Sequence, residues 1–176
     1  MTQRALAEAA KVRQPGVAAV ESGAEDATVS RIEHLLASLG SRLSVIPSRL
    51  RPVWAVGGDV REALETGDVR SAWREIIQLN DDLRSADPAT AVALAIAAPS
   101  PTGDARFDAL IAAVTDCALS DAGLPIPTWI RDDTWVLDQF WDVENVPSLR
   151  LVARERTPES ISRHGIFLDR AVLESV

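Results

Sequence analysis

Apolar residues recur at helical spacing over most of this chain, and the breaks between the runs fall at Gly and Pro. Near the N-terminus Leu6 and Ala10 lie four apart, Val12 follows a turn, and Val17 and Val20 lie three apart. Two short helices are predicted to cross there, with the small Ala7 at the contact. Thr28 is a predicted N-cap for a third helix that puts Ile32, Leu35, Leu36 and Leu39 on one face and ends at Gly40. Arg42 to Ile46 then alternates polar and apolar, which predicts a half-buried strand stopped by Pro47.

Ser48-Arg49-Leu50-Arg51-Pro52 reads as a linker, with Arg49 and Arg51 free to reach phosphates. The pattern therefore divides into a domain over 1–47, a linker over 48–52 and a second domain over 53–176. In the second, a stripe from Trp54 and Val56 through Asp59 to Leu64 precedes Glu65-Thr66-Gly67. A longer stripe over Asp68 to Ser85 follows, carrying Val69, Trp73, Ile76, Ile77, Leu79 and Leu83. Together they predict an antiparallel helical hairpin. The pair Gly58-Asp59-Val60-Arg61 and Gly67-Asp68-Val69-Arg70 sits too close together to be a structural repeat.

Asp87-Pro88 predicts a capped start for the alanine-rich run Ala89 to Ala98, which Pro99-Ser100-Pro101-Thr102-Gly103 breaks. Asp104 caps a further helix through Phe107, Leu110, Ile111, Val114 and Leu119, ending near Gly123. From Leu124 onward Trp129, Trp135 and Trp141 lie near Phe140, a grouping that predicts an aromatic core, with a partner-binding surface as the alternative. A short helix starting at Thr157-Pro158-Glu159-Ser160 closes at Gly165, Ile166-Phe167-Leu168 suits a brief strand, and Asp169 caps Arg170 to Val176. The fold class is mostly α: an N-terminal pair of crossed helices, then an α-helical C-terminal domain with little β.

Composition narrows the function. Hydrophobic residues at 47% and charged residues at 25% fit a globular chain with a core. No apolar run is long enough to span a bilayer and no signal-peptide pattern opens the chain, so a cytoplasmic location is expected. Cys117 is unpaired and predicted buried. With His34 and His164 isolated, no metal set and no cofactor site is expected. Residues 1–51 carry seven Arg/Lys against five Asp/Glu, and residues 52–176 carry eleven against twenty-one. Only the N-terminal part suits contact with phosphates.

Catalysis finds no support in the pattern. Asp81 and Asp82 are neighbours on a helix and are predicted to face solvent, while Asp132 and Asp133 read as a turn. His164 reads as a helix C-terminal residue, and Ser162 has no acid partner in sequence. No catalytic residues and no enzymatic activity are therefore assigned.

The N-terminal pieces carry a resemblance. Thr2-Gln3-Arg4-Ala5-Leu6-Ala7-Glu8-Ala9-Ala10, Val12-Arg13-Gln14-Pro15, Val20-Glu21-Ser22-Gly23 and Ile32-Glu33-His34-Leu35-Leu36-Ala37-Ser38-Leu39-Gly40 follow in order. This segment resembles the lambda-repressor/Cro-like (XRE) helix-turn-helix, in the actinobacterial antitoxin-like subtype. The family's opening helix would fall before Thr2, so the domain is expected to lack it. Lys11 stands at the turn position the family usually gives to Gly, and Gly16 and Ala18 stand where Thr and Ser are commoner.

By motif position, the resemblance implies a DNA-facing set of Gln3, Arg4, Arg13, Gln14, Pro15, Gly16, Ala18 and Ala19. Gln3 resembles a phosphate contact with Arg4 beside it, Gln14 opens the recognition helix as an adenine reader, and Arg13 takes a phosphate or a guanine. Pro15 and Ala19 offer no side-chain donor, so specificity calls for a homodimer, DNA shape, or both. A strand or helix after the motif is expected to join the two copies, as in antitoxins resembling this family. The tail from Pro127 to Val176 resembles the C-terminal half of regulators carrying the same motif, which implies a co-encoded toxin or other protein partner.

The expectation is a sequence-specific DNA-binding transcriptional repressor of double-stranded operator DNA, autoregulating in the manner of an antitoxin, with no membrane partner. The alternatives are a protein-interaction module with a degenerate motif and a small-molecule sensor with a pocket among the C-terminal tryptophans.

Overall fold

The computed structural model describes residues 2–46 and 49–174. Among the described residues the fold is mostly α, with nine α-helices, short 3-10 turns and one two-stranded sheet. The chain divides into two compact units, Met1–Ile46 and Pro47–Val176.

The first unit holds α1 (Gln3–Ala9), α2 (Gln14–Glu21) and α3 (Val29–Ser38). Thr2 caps α1 through the Ala5 amide, and Thr28 caps α3 through the Arg31 amide. Leu6, Ala7, Ala10, Val17 and Leu35 form its core, with Val12 and Val20 packed against them. At the turn after α1, the Val12 amide bonds the Ala7 carbonyl and the Lys11 amide bonds that of Glu8. That pattern needs a left-handed residue after the cap, and Lys11 takes it at φ 55°.

No strand forms over Arg42 to Ile46. Residues 41–46 have no regular secondary structure, and Leu43, Val45 and Ile46 are exposed, Val45 by 85%. The alternation is present, but among the described residues no second strand lies beside it to pair its backbone, so the predicted strand does not form. Pro47 and Ser48 lie outside the described residues.

In the second unit α4 (Val53–Glu65) and α5 (Val69–Ser85) pack as the expected hairpin. The face of α4 differs from the predicted one: Val53, Val56 and Val60 are buried while Trp54 is 56% exposed. Behind them come α6 (Pro88–Ala95), capped by Asp87, and α7 (Ala105–Asp121), capped by Asp104. From Ala109 to Leu119 every residue of α7 is buried, which makes it the centre of the unit.

The remaining chain wraps α7 with 3-10 turns over Thr128–Arg131 and Asp133–Trp135, then β1 (Trp141–Asp142), α8 (Pro147–Arg156), α9 (Glu159–Ser162), β2 (Ile166–Phe167) and a last 3-10 turn, Arg170–Leu173. β1 and β2 pair in parallel, Trp141 opposite Ile166. Helix α8 has no counterpart in the sequence reading, because Ala153 is its only buried residue and it carries no apolar stripe.

The aromatics split into two groups. Trp129 and Trp135 meet edge to face at 5.2 Å, while Trp141 packs on Trp73 and Phe107 at 6.1 and 6.3 Å. Phe140 is 72% exposed beside Phe167. The single aromatic core predicted from spacing is therefore divided among these separate ring contacts.

Candidate nucleic-acid interface

Helix α2 is the element that exposes the predicted set. Proline is tolerated in a first helical turn because the amides there have no intrahelical partner, and Pro15 holds that place. Arg13 is the N-cap residue but makes no side-chain cap bond; the Gly16 amide bonds the Arg13 carbonyl at 3.1 Å and Pro15 has no amide hydrogen. Arg13, Gln14 and Pro15 are exposed, and Ala18 and Ala19 are half-buried four residues after Gln14 and Pro15 on the same faces. Val17 turns inward and is 1% exposed, which fixes the helix rotation.

The structure brings Gln14, Pro15, Ala18 and Ala19 onto one helix with Arg13 as its N-cap, gives Gln3 and Gly16 other partners, and leaves Arg4 on α1. Gln3 donates its amide to Glu21 at the far end of α2, 2.8 Å away, so a carboxylate stands beside the predicted phosphate contact. Arg4 is exposed on α1, away from any described acidic partner. Gly16 accepts a hydrogen bond at its carbonyl from Arg31 Nη2, 3.2 Å away, instead of presenting a vacant hydroxyl position to solvent. A hollow of about 420 Å³ at this end of α2 is lined by Arg13, Pro15, Gly16, Glu25 and Arg31.

Ala19 has a structural task as well. Its carbonyl accepts from the Ala24 amide at 2.9 Å, the Glu25 amide at 3.2 Å and the Ser22 hydroxyl at 3.2 Å, which turns the chain after α2. Arg31 and His34 escaped the sequence reading. His34 Nε2 donates to the Ala10 carbonyl at 2.7 Å and ties α3 to the end of α1. The readable signal for Arg31 is the bare Gly16, fifteen residues earlier, which marks a close approach.

The folded boundary changes the charge argument. Arg49 and Arg51 belong to the second unit, so Met1–Ile46 carries five Arg/Lys and five Asp/Glu, a net charge of zero. Arg51 is also committed: it pairs with Asp59 at 2.9 Å and with Glu75, and its amide reaches Asp82 at 3.3 Å. It is not free for phosphate. Asp82 itself is 6% exposed and bonded by Gln78, so its predicted solvent-facing position is corrected too. Within the first unit Arg4, Lys11 and Arg13 make no ion pair with a described residue, while Arg31 is held by Glu25.

The second unit contains one buried ionic cluster that sequence spacing concealed. His164 is 1% exposed, with Nδ1 2.9 Å from the Trp135 carbonyl and Nε2 3.3 Å from Asp116. His164 stands just past the end of α9, as its place beside Gly165 predicts, but is buried there. Cys117 is buried as expected, and burial pushes its thiol up, away from the reactive thiolate. Among the described residues no group of three or more His, Cys, Asp or Glu could hold a metal ion, and no helix is long and apolar enough to cross a membrane.

Searches of protein-family models, of curated proteins and of solved structures find no match to this chain.

Proposed function

We propose that this protein is a sequence-specific DNA-binding transcriptional regulator of the XRE helix-turn-helix type, a cytoplasmic repressor that acts as a homodimer and autoregulates like an antitoxin. The observation that carries the reading is the exposed pair Arg13 and Gln14 at the start of α2, which no side chain caps, on a helix packed against α1 and tied to α3 by the Arg31–Gly16 hydrogen bond. A glutamine there suits bidentate pairing with an adenine edge, and the neighbouring arginine suits a phosphate or a guanine. Two such helices in successive major grooves would occlude a promoter. The whole net charge of −8 lies in the second unit, to which we assign the co-encoded protein partner.

Binding isotherms on duplex DNA across a salt series test this. With Arg4, Lys11 and Arg13 as the phosphate contacts of each protomer, a dimer should show a slope of log K against log salt of about −5. Gln14→Ala should erase preference for a selected sequence over a random one at unchanged slope. Equal affinity of the wild type for all sequences overturns the proposal.

A second reading, a protein-interaction module, is favoured by the neutral first unit and the exposed Leu43, Val45 and Ile46. It predicts binding to a protein with no DNA preference at any salt.

A further inference from the structure

The small core of the first unit leaves the angle of α2 to be set largely by polar ties. Five buried apolar residues, three of them alanine or valine, hold three short helices together. Three side chains then tie them together: Gln3 bonds Glu21, His34 bonds the Ala10 carbonyl, and Arg31 bonds the Gly16 carbonyl as well as Glu25 in the loop between α2 and α3. Only the last reaches the end of α2 that carries Arg13 and Gln14.

Arg31 is in the first turn of α3 and its side chain is one-third exposed. One guanidinium nitrogen donates to the Gly16 carbonyl and the other pairs with Glu25 in the loop between α2 and α3. A fork of this kind fixes two partners in one plane, which a lysine ammonium cannot do. Gly16 is the counterpart. A Cβ built there would lie 2.6 Å from Arg31 Nη2, so a side chain at position 16 would push the guanidinium tip off its present place. The helix ladder leaves one lone pair of each carbonyl oxygen unused, so the guanidinium adds a contact at Gly16 without breaking one.

We infer that Arg31 is a positioning residue for the DNA-facing end of α2, acting through Gly16 and Glu25, and that glycine at position 16 is the seat that admits it. This rests on the DNA-binding reading for its consequence, but not for its geometry. Arg31 sets where Gln14 and Arg13 point and takes no phosphate itself, since its charge is already paired with Glu25.

The test uses the full chain as wild type, Arg31→Ala, Arg31→Lys and Gly16→Ala. Each is measured on a duplex enriched by the wild type from a random-sequence pool, on the unselected pool, and by amide hydrogen exchange without DNA. Exchange at the amides of Val17 and Ala18 should accelerate in all three variants, with the later turns of α2 unchanged. The preference for the selected duplex should fall about tenfold in each variant while the salt slope stays constant.

Loss of about one unit of slope in Arg31→Ala would make Arg31 a phosphate ligand and overturn the inference. Unchanged exchange at Val17 and Ala18 overturns it without reference to DNA. Gly16→Ala keeps the arginine and displaces it, so agreement between it and Arg31→Ala separates positioning from loss of charge. If the wild type enriches no duplex, the DNA-binding reading fails, and the exchange data still decide the positioning role.

Discussion

His164 and Asp116, 48 residues apart in sequence, meet at 3.3 Å with each side chain 1% exposed. The contact fastens the chain after α9 to the middle of α7, and His164 passes it on to Trp135 through that residue's carbonyl. Ser120 donates to the same carboxylate at 3.0 Å and Arg163 approaches it at 3.4 Å.

Burial pushes the Asp116 carboxyl up, but the hydrogen bonds from His164 and Ser120 and the charge of Arg163 outweigh it and hold the group below the usual carboxylate range. A carboxyl depressed on folding adds stability above its unfolded value of about 3.9, and that stability is lost as pH falls through the lower folded value. Asp116→Ala is expected to destabilise the second unit by about 3 kcal/mol at neutral pH, because it leaves buried donors without their acceptor. The gap to wild type should narrow below about pH 4 in urea titrations followed by tryptophan emission. A gap that stays constant with pH would exclude this role for the carboxylate.

Gly57 in α4 faces the backbone of the turn after α6, where an added Cβ would collide with the Ser100 carbonyl and touch Pro99. The obstacle is backbone, which cannot swing aside as a side chain tip does. Gly57→Ala should therefore cost about 2 kcal/mol despite alanine's better helix propensity. Gly58→Ala, with nothing within 4 Å of the added atom, serves as the control and should be neutral or stabilising. Equal melting temperatures for the two variants would contradict the close approach.

Four other helices, α2, α3, α4 and α7, end in the same bonded turn as α1, and each places glycine where α1 has Lys11. A left-handed lysine is strained by about 1 kcal/mol relative to glycine. Lys11→Gly should raise the denaturant midpoint of the first unit by the equivalent of about 1 kcal/mol. A lowered midpoint would place the backbone at position 11 outside the left-handed region.

Arg51 stands among Asp59, Glu75 and the buried Asp82. Arg51→Ala leaves the three carboxylates facing one another, and since the arginine is about one-third exposed the expected loss is about 1 kcal/mol, smaller in high salt. The same variant should leave the salt slope of DNA binding unchanged. A reduced slope would return Arg51 to the phosphate-contacting set.

Much of the helical architecture could be read from local pattern. Asp68, Asp87 and Asp104 each bond amides in the first turn of the helix they precede, because an N-cap depends only on residues within a turn of it. The stripe Leu6, Ala10, Val17 likewise marked the core of the first unit, since a buried helix face must repeat every three or four residues.

Other features follow from partners distant in the chain. The alternation over Arg42 to Ile46 met no second strand, whereas Trp141 and Asp142, with no alternation to mark them, pair with Ile166 and Phe167. In the candidate interface, Gln14 and Arg13 are legible from their place at a helix start, but the contact at Gly16 depends on Arg31, fifteen residues further on, which bonds its carbonyl. Asp82 reads as solvent-facing and His164 as a helix-end residue; both are buried, against Arg51 and Asp116, which arrive from other segments of the chain. Local sequence thus settled where most of the helices begin and end, since those interactions act within a turn of the chain, though it missed α8 and the buried face of α4. Which polar group is buried, and against what, was settled by packing between distant segments, because a charge leaves water only where another element supplies its partner.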